Sequence, residues 1–262
     1  MLFDSHAHYD DEKFEENRDE VIKGLCQTSD INPLGVCAVL NSASDIISSK
    51  KAIALAEKYP FFYASAGVHP HEAENAGDDM EEQIKTLLAH EKVCAIGEIG
   101  LDYHYDFSPR DKQKEVFERQ MRLALETDTP VIIHDREAHG DCMDVVRKYK
   151  GVRGVFHSYS GSGEMARELV RLGWYISFSG SVTFKNASNI LNSVKSVPDD
   201  RLLVETDAPY LAPVPYRSRV NNSSYMYATV SLLAKERGVS VEHIANITRQ
   251  NACKLFGISL GE

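Results

Sequence analysis

Short apolar segments alternate with longer amphipathic segments from one end of the chain to the other. Eight of the short segments predict strands, and several are unbroken apolar runs, as is typical of parallel strands buried on both faces. Strands that alternate with helices predict an α/β protein, namely a closed (β/α)8 TIM barrel formed by a single domain over residues 1–262. The predicted strands lie near residues 2–6, 35–41, 62–68, 93–98, 130–134, 153–157, 174–179 and 202–206.

Several segments between the strands carry apolar residues at helical spacing. Pro109 lies where proline is favoured in a first helical turn, and Gly173 and Gly238 are expected to end two further helices. Ser240 is expected to cap another helix, and a last helix ends at Phe256-Gly257. The apolar stripes are Phe117, Met121, Ala124 and Leu125; Met165, Leu169 and Leu172; and Met226, Val230 and Leu233.

An open doubly wound sheet is the alternative to the barrel. No glycine-rich phosphate-binding motif follows the first predicted strand, so the barrel is favoured. The chain has 262 residues, which suits one barrel domain. Long loops are expected after the third, fourth and eighth strands.

The net charge of −10 argues against a protein that coats nucleic acid by bulk electrostatics. A local phosphate site is still compatible with this charge, because bound divalent cations would reverse the sign of the potential there. The five cysteines are widely spaced and contain no C-x-x-C motif. We therefore expect reduced, mostly buried thiols in a cytoplasmic protein. The chain lacks a signal-peptide pattern and any apolar run of membrane-spanning length.

Imidazoles and carboxylates stand at the ends of the predicted strands. His6 and His8 are two residues apart, so their side chains point the same way on an extended segment. Glu98 could bridge two cations with its two oxygens, although a buried pair with an arginine is the alternative. Asp207 could hold an ion and accept a proton from water, or it could cap a turn. The full set of candidate metal ligands is His6, His8, Glu98, His134, His157 and Asp207.

Six such ligands are too many for one tetrahedral ion and suit two divalent ions with open positions. Two cations can hold a phosphoryl group and lower the pKa of water, which indicates hydrolysis of a phosphate ester with Glu98 and Asp207 as catalytic residues. Further candidates, for substrate binding, are His69, His71, Tyr103, His104, Arg136, Arg217 and Arg219. A polar loop, a salt bridge or solvated charge would explain these residues equally well.

Five segments resemble the motifs of the TatD family of metal-dependent deoxyribonucleases, within the wider amidohydrolase superfamily. They are Gly67-Val68-His69-Pro70-His71, Gly97-Glu98-Ile99-Gly100-Leu101-Asp102-Tyr103, Ile133-His134-Asp135-Arg136-Glu137-Ala138, His157-Ser158-Tyr159-Ser160-Gly161 and Glu205-Thr206-Asp207-Ala208-Pro209-Tyr210-Leu211. The resemblance implies a (β/α)8 barrel in which His6, His8, Glu98 and Asp207 serve one ion, and Glu98, His134 and His157 the other.

The resemblance also implies hydrolysis of DNA phosphodiesters, often as a 3′-to-5′ exonuclease, with single-stranded DNA or DNA ends as substrate. Family members are usually described as magnesium-dependent, whereas nitrogen-rich ligands favour zinc or manganese. One stretch departs from the family: Ser218-Arg219-Val220-Asn221-Asn222-Ser223 stands in place of Gly-Lys-Arg-Asn-Glu-Pro. This difference concerns substrate binding or specificity near that loop rather than the six ligand positions.

Two other functions compete with a nuclease. A barrel hydrolase of a small amide, lactone or ester could use the same ligands, because fold does not fix substrate. Many such barrels bridge their ions with a modified lysine on the fourth strand, where this chain has Glu98. A structural or storage metal protein is the non-enzymatic alternative, but structural zinc sites rarely need four histidines and two carboxylates. A monomer is expected.

Overall fold

The computed structural model describes residues 1–260 and contains one eight-stranded parallel barrel. Each strand pairs with the next along the chain. A bridge between Ala7 and Ala208 brings the end of the eighth strand back to the first. The predicted barrel is therefore confirmed. Its strands are β1 (Leu2–Ala7), β2 (Val36–Asn41), β3 (Phe62–Ala66), β4 (Val93–Asp102), β5 (Val131–Arg136), β6 (Gly154–Phe156), β7 (Tyr175–Phe178) and β8 (Leu202–Val204).

Helices follow the strands and cover the outside of the barrel. Met226, Val230 and Leu233 are fully buried, and Gly238 ends their helix with a φ of 68°. The helices are α1 (Arg18–Gly24), α2 (Ile46–Lys58), α3 (Met80–Leu88), α4 (Arg110–Thr127), α5 (His139–Lys148), α6 (Gly163–Arg171), α7 (Ser188–Val194), α8 (Met226–Arg237) and α9 (Val241–Phe256). None of the helices in residues 1–260 is long and apolar enough to cross a membrane.

The interior of the barrel is a separate apolar cluster that α9 closes from below. Alternate strand residues such as Phe3, Ile132 and Leu203 point inward, as the two-residue period of a strand requires. Leu255 and Phe256 of α9 join this cluster. The side-chain amide of Asn251 on α9 donates to the carbonyls of Asp199 and Leu202, next to the first residue of β8. The helix therefore packs against the N-terminal ends of the strands.

Strand β4 is longer than predicted and contains an irregularity. The pairing with β5 shifts register between Ile96 and Ile99, so one extra residue lies in β4 at this point. Such a bulge re-aims side chains locally. As a result Glu98 lies inside the strand rather than at its end, and the strand continues to Asp102.

The loops after β3 and β8 are long, as predicted, and span residues 67–79 and 205–225. The loop after β4 is shorter than predicted, residues 103–109, because the strand runs on.

Four details of the helix prediction are wrong. Pro109 precedes the first residue of α4, so it occupies the cap position. Leu125 and Leu172 are 50% and 41% exposed, because the buried stripes are narrower than the apolar pattern. Ser240 caps a helix as predicted, but that helix is the one that ends before Gly257, so the two predicted helices are one because no helix breaker separates them.

The prediction of mostly buried cysteines is also wrong. Only Cys142 is buried among the five, and Cys26 is exposed. The other three, Cys37, Cys94 and Cys253, are partly exposed, and Cys94 and Cys253 pack at the edge of the barrel interior rather than within it.

Candidate metal centre

The six predicted ligands meet at the C-terminal ends of the barrel strands. His6 lies in β1 and His8 directly follows it, Glu98 lies in β4 and His134 in β5. His157 and Asp207 follow β6 and β8. The strands are parallel, so residues far apart in sequence arrive at one rim of the barrel.

Glu98 occupies the middle of this group, with each oxygen facing a different pair of histidines. Its Oε2 atom lies 3.2 Å from Nε2 of His6 and 3.6 Å from Nε2 of His8. Its Oε1 atom lies 2.7 Å from Nδ1 of His134 and 2.7 Å from Nε2 of His157. Glu98 therefore has the geometry of a carboxylate shared between two neighbouring sites.

Asp207 completes the group on the side of His6 and His8. Its Oδ1 atom lies 3.6 Å from Nε2 of His6 and 3.4 Å from Nε2 of His8. The backbone N–H of Asp207 donates to the carbonyl of His6 over 2.9 Å. The residue has a φ of 59°, a backbone conformation that few non-glycine residues adopt and that is often found at functional sites.

Imidazole nitrogens converge on each other within the two pairs. The Nε2 atoms of His6 and His8 lie 3.0 Å apart, and Nδ1 of His134 lies 3.2 Å from Nε2 of His157. Such groups of lone-pair donors around carboxylates fit divalent cations of the first transition row. Three ligand groups have geometry suited to an ion: His6, Glu98 and His157; His6, His8 and Asp207; and His69, Glu98 and His134. The donor set therefore fits the implied metal ions.

The second nitrogen of each imidazole also has a partner, and the sequence analysis did not identify these partners. Oδ2 of Asp102 lies 3.1 Å from Nε2 of His134, and Oε1 of Glu205 lies 3.2 Å from Nδ1 of His157. This is the usual arrangement around metal-ligating histidines, because a partner fixes the tautomer and the ring orientation.

Ser42 contacts both His6 and His8. Its hydroxyl lies 3.0 Å from Nδ1 of His6, and its carbonyl oxygen lies 3.0 Å from Nδ1 of His8. Asp102 and Glu205 lie within motifs that are visible in the sequence, whereas no sequence signal distinguishes Ser42.

Electrostatics within the group favour negative carboxylates, whereas the histidine rings differ: the pKa of His8 is raised and that of the buried His6 is lowered. Burial opposes ionisation of Glu98, but its electrostatic interactions with His157 and His6 hold its pKa well below the usual range. Burial also opposes protonation of His8, but its hydrogen bond to Asp207 and the charge of Glu98 raise its pKa to about 9. Acidic and basic side chains with shifted pKa values thus lie in close contact, which is typical of functional sites.

His69 lies deeper than a substrate contact in an open loop would. It is 7% exposed, and its Nε2 atom is 3.5 Å from Oε1 of Glu98. Burial lowers the pKa of His69 to about 4, so the ring is neutral at physiological pH. The ring of the neighbouring His71 is held in place by Asp102, because its Nε2 atom lies 2.8 Å from Oδ2 of that carboxylate.

Arg136, at the end of β5, lines the cleft above the metal centre, as a substrate contact should. Tyr103 does not line the cleft. Its hydroxyl donates to Asp141, and its ring lies under the Arg110 guanidinium. His104 pairs with Glu137 at the surface.

Two arginines of the loop after β8 also have their contacts outside the cleft. Arg217 lies over the ring of Phe184, and Arg219 lies 5.9 Å from the ring of Tyr216. Neither residue lines the cleft.

The altered loop contributes buried contacts beneath Asp207. The side-chain amide of Asn221 donates to the carbonyls of Thr206 and Tyr210, on either side of Asp207. Asn221 thereby fixes the backbone that carries this carboxylate.

Asp4 is a buried carboxylate below the metal centre that ties β1 to the end of β8. It accepts from the backbone N–H and the hydroxyl of Thr206, at 3.0 and 2.6 Å, and from the Ser223 hydroxyl at 2.6 Å. Burial raises the pKa of Asp4 to about 7, although these hydrogen bonds counteract the shift. The Ser223 hydroxyl thus completes the network.

A cleft of about 1120 Å³ opens above the metal centre. Besides the candidate ligands, it is lined by several carboxylates. Arg136 is the only lysine or arginine among the lining residues of the described chain. The carboxylates are Asp10, Asp11, Glu72, Asp102, Asp135 and Glu137.

A parallel barrel with histidines and carboxylates gathered at the C-terminal ends of its strands defines the class of metal-dependent barrel hydrolases. The chain belongs to the TatD family: the family model described as TatD related DNase matches residues 3–257.

Relatives cover the whole length of the chain. A Bacillus subtilis protein named uncharacterized metal-dependent hydrolase YabD is 41% identical over 99% of this chain and 100% of its own. A Citrobacter rodentium protein named 3′-5′ ssDNA/RNA exonuclease TatD is 33% identical and covers 99% of each chain. The crystal structure of YJJV, a TatD homologue from Escherichia coli, superposes with a TM-score of 0.90 at 28% identity, over 98% of each chain.

Proposed function

We propose that the protein is a phosphodiesterase that removes nucleotides from ends of single-stranded DNA with the help of two divalent metal ions. The observation that carries the proposal is the position of Glu98, whose two oxygens face two separate groups of histidines. A single ion would leave one of these groups without a partner. The imidazoles and carboxylates on that side would then interact only with one another, and their burial without a cation would cost free energy.

The proposed ligand sets follow the two sides of the Glu98 carboxylate. His6, His8 and Asp207 lie on the Oε2 side, whereas His134 and His157 lie on the Oε1 side. Bound there, two ions supply charge for a phosphoryl group and acidify water. The nitrogen-rich donors favour zinc or manganese over magnesium.

Asp207 is the proposed proton acceptor. Burial works against its ionisation, but the hydrogen bond with His8 and the charge of His6 keep its pKa below the usual range. The carboxylate is therefore ionised at neutral pH, and Oδ1 can take a proton from a water molecule that attacks phosphorus. Its fixed backbone, held by the Asn221 contacts on either side, keeps that oxygen at the rim.

The nucleic-acid substrate and the direction of digestion rest on the relatives. The Citrobacter rodentium relative is named a 3′-5′ exonuclease of single-stranded DNA and RNA, and it aligns over 99% of each chain. We extend that activity to this chain. The proposed setting is the cytoplasm, where unpaired thiols such as the five cysteines here stay reduced, and the proposed state is a monomer.

The test is nucleotide release from end-labelled single-stranded DNA by metal-loaded protein, with and without a chelator. Glu98→Gln and Asp207→Asn remove one negative charge each with little change in shape, and both are expected to abolish release. Exposed Glu82→Gln and Asp144→Asn are matched controls that should keep it. No release by the wild type, or full release by the two site variants, contradicts the proposal.

Hydrolysis of a small amide, lactone or ester is the second candidate. The acidic lining of the cleft favours it, because a polyanion is repelled by carboxylates around a single arginine. Incubation of the same metal-loaded sample with DNA and with a panel of neutral esters and lactones separates the two. Turnover of the small substrates alone would favour this second candidate.

A further inference from the structure

The exposed aromatic residues of the described chain all lie in one place. Within residues 1–260, the aromatic side chains that are largely exposed are Tyr105, Phe107 and Tyr210, at 49%, 64% and 44%. All three line the cleft above the metal centre. Exposed aromatic side chains that are confined to a ligand cleft indicate a binding function.

Two of these rings form a preassembled pair. The rings of Tyr105 and Phe107 stack with centroids 5.2 Å apart and an angle of 22° between their planes. His71 contacts both rings edge-on, at 5.5 and 4.7 Å between centroids. The backbone N–H of Tyr105 donates to Oδ1 of Asp102, whose other oxygen contacts His71 and His134. The pair is therefore tied directly to the proposed metal centre.

We infer that Tyr105 and Phe107 form a nucleobase-stacking subsite that binds a base next to the phosphate held at the metal centre. This inference rests on the proposed function and names the groups that recognise its substrate. Aromatic rings bind single-stranded nucleic acids by stacking, and every base offers a face for it. The subsite should therefore hold any of the four bases, with preferences set by stacking strength.

Charge in the cleft explains why stacking has to contribute strongly. The lining carries many carboxylates and only Arg136 as a strong cation, so attraction of the phosphate backbone is weak. The Arg136 guanidinium lies 5.0 Å from the centroid of Tyr105, which places positive charge beside the aromatic pair. A base on the pair and an adjacent phosphate at Arg136 would satisfy both features at once.

Tyr210 differs from the other two rings. It follows β8, on the opposite side of the barrel mouth from β4, because three strands lie between β4 and β8 in either direction. The amine of Lys13 lies 4.1 Å from its ring centroid, and its hydroxyl donates to Asp11. Tyr210 is thus engaged by polar neighbours through both its ring and its hydroxyl, whereas Phe107 of the pair is the most exposed of the three rings and offers the open stacking surface.

The experiment measures kcat/KM with single-stranded oligonucleotides that carry either a normal nucleotide or a stable abasic analogue. The analogue replaces one of the two nucleotides that flank the cleaved phosphate. Phe107→Leu and Tyr105→Leu keep apolar volume but remove the ring, Phe107→Trp keeps a ring, and exposed Ile47→Ala on α2 is the control. Metal content and circular dichroism of each variant verify the fold.

Loss of a stacked base is expected to lower kcat/KM of the wild type about 5- to 150-fold. Each leucine variant should lose a similar factor on normal DNA, mainly through KM, and should then respond little to the abasic analogue. Phe107→Trp should retain the wild-type response to the analogue.

Two results would overturn the inference, and they can be told apart. In the first, the wild type cleaves DNA, but the leucine variants lose as much kcat/KM on the abasic substrate as on normal DNA. This result excludes the stacking subsite and leaves the proposed function intact. Absence of any cleavage of DNA by the wild type removes the proposed function together with the subsite.

Discussion

Nε2 of His134 lies 3.1 Å from Oδ2 of Asp102. Nδ1 of the same ring faces Oε1 of Glu98 at 2.7 Å, so Asp102 determines which nitrogen is available to an ion. Asp102 also accepts from the backbone N–H of Tyr105 and contacts His71. One carboxylate thus orients both a candidate metal ligand and the aromatic pair.

Asp102→Asn is expected to weaken metal binding about 10- to 100-fold, because the neutral side chain no longer fixes the tautomer of His134. The affinity can be measured by competition with a chromophoric chelator. Asp144→Asn, on the exposed surface of α5, is the control and should bind metal as the wild type does. Unchanged affinity in Asp102→Asn would show that the contact does not organise the ring.

Metal affinity is expected to rise with pH. The pKa of His8 is raised to about 9, and those of His134 and His157 are also raised, mainly by contacts with carboxylates that outweigh the opposing effect of burial. Before an ion binds, the His8 ring therefore carries a proton at neutral pH, and the ion must displace it. Binding should therefore weaken from about pH 8 to about pH 6 and release protons. Calorimetry in buffers of different ionisation enthalpy measures this release, and a pH-independent affinity would contradict it.

Arg136→Gln is expected to raise KM for single-stranded DNA with little change in kcat, because the only strong cation of the cleft lining is lost. The slope of log(kcat/KM) against log salt should become shallower by about 0.7, the value for one phosphate contact on a single strand. Arg122→Gln, on the exposed face of α4, is the matched control. An unchanged slope would mean that Arg136 contacts no phosphate.

Ser223→Ala is expected to lower the free energy of unfolding by about 1–3 kcal/mol, because it removes one hydrogen bond from the buried Asp4 carboxylate and one from the buried Tyr9 hydroxyl. Urea unfolding followed by circular dichroism measures the change. The exposed Ser188→Ala variant should stay close to the wild type. A neutral effect of Ser223→Ala would mean that water replaces the hydroxyl.

Leu255→Ala is expected to cost about 2–5 kcal/mol, because it opens a cavity where α9 closes the barrel interior. Leu125→Ala, on the half-exposed edge of α4, should change stability by less than about 0.5 kcal/mol. Thermal unfolding of the two variants compares a buried and an exposed leucine directly. Equal effects would contradict the assignment of α9 as part of the core.

Sequence patterns predicted all eight strands and the order in which they form the barrel. Apolar runs such as 130–134 are unambiguous because both faces of a barrel strand are buried. The limits of α4 and the exposure of Leu125 were less predictable, because helical spacing gives the direction of a side chain but not the width of the buried stripe. The bulge at Glu98 left no pattern, since it depends on how β4 pairs with β5.

The sequence by itself determined which donor side chains gather at the candidate metal centre. All the parallel strands end on one side of the barrel, so the residue types at those ends fix which donors reach the rim. Only the tertiary structure decided how the donors are shared and supported. The opposite orientation of the two Glu98 oxygens, the contacts of Asp102 and Glu205 with the rings, and the grouping of exposed aromatic residues in one cleft depend on distances between strands and loops. Those distances arise when the barrel closes, and no local spacing along the chain encodes them.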